Sequence, residues 1–127
     1  MKRAIAILVY CAGACLSAHA AEQPETVMLR FQAKAGAEEE LAKVIQRHWK
    51  TARELKLVRD APHTTVQSSQ DGKVWFVDIF TWRDAEIPDH APAAIQAIWA
   101  EMSKLTESRG GRPGIEITAV ELLTGGR

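Results

Sequence analysis

The sequence predicts an α+β fold in which two helices cover one face of a four-stranded antiparallel sheet. Three observations carry that prediction. A period-two run spans Val27 to Ala33, a long apolar stripe recurs at three- and four-residue steps after Glu38, and an Asp-Gly turn precedes the strong strand Lys73 to Trp82.

In the first strand Val27, Leu29, Phe31 and Ala33 alternate with Met28, Arg30, Gln32 and Lys34, which gives two chemically different faces. Gly36 marks the turn into a helix expected from Glu38 to about Arg59, with Leu41, Val44, Ile45, His48, Trp49, Ala52, Leu55 and Val58 on its inward stripe. Glu38, Glu39 and Glu40 suit its first turn, where carboxylates meet unpaired amides. Pro62 ends any helical reading, and His63 to Ser69 is a weaker, polar strand. Asp71-Gly72 accepts the positive backbone angles of a tight hairpin. The strand Lys73 to Trp82 follows, then a break around Pro88 and a second helix opened by Pro92, with Ile95, Ile98, Trp99, Met102 and Leu105 inward. Arg109 to Gly114 is a loop by composition, and Ile115 to Leu123 is the last strand. The order βαββαβ is that of a ferredoxin-like fold, which leaves the second sheet face bare.

The ends and the composition narrow the functional classes. Lys2 and Arg3, the apolar run Ala4 to Leu16 and the small residues of Ala18-His19-Ala20 have the three parts of a secretory signal peptide. The run of about 13 residues falls short of the roughly 20 that span a bilayer. Cleavage after Ala20 is expected, giving a single domain over 21–127 that is periplasmic or secreted. A retained anchor and lipid attachment at Cys15 are the alternatives. Both Cys11 and Cys15 lie in the removed segment, so disulfides and thiolate catalysis drop out. Loss of Lys2 and Arg3 tips an even balance of 16 basic and 16 acidic residues slightly negative, which speaks against a nucleic-acid partner. His48, His63 and His90 show no ligand spacing, so no metal is expected, and Arg109 to Gly114 lacks the frame of a nucleotide cradle.

On the third strand the uniformly apolar set Trp75, Val77 and Ile79 is assigned to the helices, which sends Phe76, Asp78, Phe80 and Trp82 to the bare face beside Met28 and Arg30. Such a face calls for a cover, and a homodimer is expected to form on it. Asp78 needs a partner if buried, and Arg30 on the neighbouring strand is the expected one, either as a structural ion pair or as a ligand-orienting pair.

The run Phe80-Thr81-Trp82-Arg83-Asp84, His90 ahead of the second helix and Ala97-Ile98-Trp99 inside it resemble the dimeric α/β-barrel superfamily, specifically its antibiotic-biosynthesis-monooxygenase-like domains. The resemblance runs from about Val27 to Leu123. It implies a homodimeric barrel with a cavity in each protomer. Some relatives are cofactor-independent oxygenases of electron-rich phenols, others degrade haem with an asparagine, a tryptophan and a helix histidine, and many have no known activity. Gln32 is the nearest polar amide to the first of these, Trp82 and His90 match the other two approximately, and the asparagine itself is missing.

The candidate site is therefore His90 as general base, with Asp89 beside it, and Asp78 as a second proton-handling group. Arg30, Gln32, Phe80, Trp82 and Trp99 are its candidate ligand-binding residues. No cofactor is expected. The plainer readings are a helix-start role for His90 and core packing for the tryptophans. An oxygenase, a non-catalytic small-molecule-binding or structural dimer, and a haem protein are the three functional expectations.

Overall fold

In the computed structural model the described residues are 22–108, 110–111 and 114–123. The expected leader, Cys15, Arg109, Arg112 and the tail 124–127 lie outside them. Four strands, β1 (Glu25–Gln32), β2 (Val58–Gln70), β3 (Lys73–Trp82) and β4 (Ile115–Ala119), form one antiparallel sheet in the order β2-β3-β1-β4. Helices α1 (Glu38–Glu54) and α2 (Ala93–Leu105) pack on each other and on one sheet face, which is the ferredoxin-like arrangement. The sheet does not close on itself, because β2 and β4 are free edges.

α1 buries Leu41, Val44, Ile45, His48 and Ala52, the predicted stripe. It stops earlier than the apolar spacing suggests. Lys56 adopts a left-handed φ of 57°, its N–H donates to the Arg53 carbonyl, and the Leu57 N–H reaches back to the Ala52 carbonyl. That capping geometry turns the chain out of the helix. Leu55 is left exposed, and Val58 is buried as the first residue of β2 rather than on the helix. β2 is longer than expected, since a register shift between Val58 and His63 absorbs Pro62 in an irregular stretch at the sheet edge. Asp71 and Gly72 both take positive φ, 53° and 75°, as the hairpin requires. β4 ends at Ala119 instead of Leu123.

The faces of β3 are the reverse of the sequence expectation. Residues opposite each other across an antiparallel pair share a face, and the register sets Phe31 against Phe76, Leu29 against Asp78 and Val27 against Phe80. Phe76, Asp78, Phe80 and Trp82 therefore point at the helices with Val27, Leu29 and Phe31, and all seven are buried. Trp75, Val77 and Ile79 lie on the other face with Met28 and Arg30, partly buried or exposed. The expected Arg30–Asp78 pair does not form. Arg30 lies opposite Val77, pairs with Glu116 at 3.7 Å and places its guanidinium 5.1 Å from the Trp75 ring centre. A lone carboxylate points to the bare face only where the helix side offers it no partner, and Asp78 finds His63 and Thr65 on β2.

Candidate functional site

Beneath α2, over the β1 and β4 half of the sheet, lies a cavity of about 460 Å³. Its walls are Val27 and Leu29 from β1, Ile115 and Ile117 from β4, Trp99 and Met102 from α2, and Trp82 from the end of β3. Ala85, Pro88 and Asp89 follow from the connection to α2, and Glu25 completes the lining. The space exists because β4 is short and little covered by a helix. Ile117 stands opposite Leu29, on the helix side, yet is 67% exposed. Trp82 and Trp99 meet edge to face with ring centres 6.3 Å apart, a favoured aromatic geometry.

Trp99 is fixed from behind. Its indole N–H donates to Nε2 of His48 at 3.0 Å, and His48, buried on α1, also lies against Phe80 and Trp82. Accepting that bond requires an unprotonated Nε2, hence a neutral imidazole. Burial, with His63 nearby as a second cause, lowers the His48 pKa from 6.5 to about 4, in keeping with that role. Trp82, by contrast, makes no side-chain hydrogen bond among the described residues.

A second polar cluster sits beside the aromatic core, on the β2 side. His63 Nε2 donates to Asp78 Oδ1 at 3.0 Å, and the Thr65 hydroxyl donates to the same oxygen at 2.7 Å. The three come together because β2 pairs Thr65 with Asp78 and brings His63 opposite Phe80. The His63 ring stacks on Trp49 with centres 3.8 Å apart. Burial raises the Asp78 pKa above its ordinary 3.8, while the Thr65 hydrogen bond and the nearby His63 act in the opposite direction.

Of the candidate ligand-binding residues, the structure brings Trp82 and Trp99 together at the cavity, and Asp89, the expected neighbour of His90, joins them there. Phe80 is wholly buried behind Trp82, with ring centres 4.9 Å apart. Asp78 belongs to the His63 cluster, Arg30 lies on the opposite sheet face, and Gln32 is buried at the far end of β1. None of these four lines the cavity. His90 ends a short 3₁₀ turn, Ile87–His90, and is exposed over a separate shallow groove with Leu57, Asp84 and Glu86. Asp89, expected only as a neighbour of His90, lines the cavity itself, while Glu25, Leu29 and Ile117 carry no sequence signal of a site and His63, on the weak strand, none of a place beside the aromatic cluster. The buried stripe of α1 held the one available signal, since it places His48 among core residues. Among the described residues no three His, Cys, Asp or Glu side chains gather to hold a metal ion. No helix there is long and apolar enough to cross a membrane.

Fold and cavity together define a ferredoxin-like domain with an apolar pocket under its second helix. No family model matches the chain, and no curated protein does. Solved structures do. A Mycobacterium tuberculosis protein, Rv0793, is 17% identical with a TM-score of 0.58, covering 83% of this chain and all of that one. SnoaB from Streptomyces nogalater, a cofactor-independent oxygenase, is 17% identical with a TM-score of 0.56, covering 80% of this chain and 96% of its own. A conserved protein from Methanosarcina mazei is 13% identical with a TM-score of 0.59, over 79% of this chain and 93% of its own. At these identities the likeness is one of fold.

Proposed function

We propose that the cavity binds a flat, largely apolar aromatic molecule, and that the chain acts on it as a cofactor-independent oxygenase. The observation that carries the reading is the apolar cavity walled by two perpendicular indoles, one of which, Trp82, keeps its N–H uncommitted for an oxygen acceptor on the ligand. The fold shared with SnoaB supports oxygen chemistry at such a site. That reaction converts an electron-rich phenol and dioxygen into a quinone and water, with the substrate supplying all the electrons.

A second reading, ligand retention without turnover, is favoured by a lining whose described residues include no histidine. His90 would serve as general base only if it reached a ligand from its separate groove. Oxygen uptake separates the readings. Electron-rich phenols and quinols should be consumed with matching oxygen loss, and Trp82→Ala should weaken both binding and uptake. Saturable quenching of tryptophan fluorescence without oxygen loss would leave a binding module. Haem, run in parallel with a visible spectrum, tests the remaining activity implied by the resemblance.

The protein is further proposed to work as an exported homodimer. The supporting surface is corrected from the sequence reading: Met28, Trp75, Val77 and Ile79, with Val66 half exposed beside them. Phe76, Asp78 and Phe80 face the helices and take no part. Sedimentation of the chain lacking residues 1–20 should give twice the monomer mass; a monomer throughout the micromolar range would rule the dimer out.

A further inference from the structure

We infer that the ligand of the cavity carries a cationic end, so that the class of molecule taken up is an aromatic amine, including a neutral phenol that bears one, rather than a phenolate or a carboxylate. The inference rests on the reading of this cavity as a ligand site and adds the sign of the charge it prefers. Among the described residues the only charged ones in the lining are Glu25 and Asp89, and no lysine, arginine or histidine among them lines it. Neither carboxylate is taken up by a basic partner among the described residues. Among the described residues the ion pairs engage other acids, and neither side chain makes a hydrogen bond.

The two carboxylates belong to one end of the pocket. Glu25 opens β1 and stands opposite Trp82 in the β1–β3 register. Asp89 lies on the 3₁₀ turn after β3, and the start of that connection is tied to the same end by a hydrogen bond from the Ala85 N–H to the Gln23 carbonyl. The floor and far wall are apolar. The pocket is thus polarised, with hydrocarbon along its floor and negative charge beside Trp82 at one end.

Two forces then act in the same sense on an ammonium group. Carboxylates at the edge of a partly desolvated space attract a cation and repel an anion of the same shape. The faces of Trp82 and Trp99 carry the negative side of the indole quadrupole and favour a nearby cation as well. A phenolate or carboxylate would meet repulsion from both groups and find no cation in the lining.

Three probes with a common ring system separate charge from shape: naphthylmethylamine, naphthylmethanol and naphthoate, titrated into the full protein at low salt and neutral pH with tryptophan fluorescence as readout. The amine should bind roughly tenfold more tightly than the alcohol, and naphthoate more weakly than either. The gap between amine and alcohol should shrink as salt is added. In the double variant Glu25→Gln, Asp89→Asn it should close. Equal binding of amine and alcohol by the parent protein would overturn the inference while leaving the cavity reading intact, and so would a preference for the amine that survives in the double variant. Failure of all three probes to bind would remove the cavity reading and this inference together.

Discussion

Phe80→Ala should destabilise the protein by about 3–5 kcal/mol, the usual range for deleting a large aromatic side chain from a packed core. Phe80 is wholly buried at the middle of the aromatic cluster, with ring centres 4.9 Å from Trp82, 5.6 Å from His48 and 6.3 Å from Trp49. Its strand is paired on both sides, so the backbone has little freedom to close around the space left behind. Urea denaturation monitored by circular dichroism measures the loss. A change under about 1 kcal/mol would mean that Phe80 is not the buried centre described here.

His48 should make folding depend on pH, with stability falling as the solution is acidified from about 6.5 to about 4. The unfolded chain takes up a proton at this imidazole near 6.5, whereas burial holds the folded group neutral down to about 4. Between those values the unfolded state binds more protons, and it gains relative to the native state as pH falls. The full difference is about 3 kcal/mol, fully expressed only below pH 4. Asp78 acts in the opposite direction. Its raised pKa leaves more protons on the folded state above 3.8, so its burial erodes stability as pH rises from there. His48→Gln isolates the first effect, because an amide oxygen still accepts the Trp99 N–H and does not titrate. The parent should lose more stability than the variant between pH 7 and pH 4; parallel curves would exclude the linkage.

The element order and the bounds of β3 were legible in the sequence because each rests on local chemistry: period-two alternation, an Asp-Gly turn that tolerates positive φ, and a proline ahead of α2. The stripe of α2 was legible for the same reason, and with it Trp99. The facing of β3 was not, since both parities are rich in large apolar residues and Asp78 alone tipped the choice. Its stabilising partners, His63 and Thr65, sit on β2, whose residues carry little alternation to announce a buried side. The end of α1 was hidden because Lys56 adopts the left-handed conformation without the glycine that usually signals it. The cavity was least visible of all. It arises from the length of β4 and the path of the connection after β3, and neither leaves a mark in periodicity.

The brevity of β4 also bears on how quickly the pocket exchanges its contents. This outer wall is a five-residue strand hydrogen-bonded on one side only, to β1, and most of its residues are exposed. Elements with few buried contacts open at the least free-energy cost, well before the whole domain unfolds. A molecule bound beneath α2 would therefore rest on a floor of strands paired on both sides and against a wall that opens more readily. Its residence time would then follow the opening of β4 rather than the stability of the core, and a ligand packed against Ile115 and Ile117 would slow its own departure by holding that strand in place.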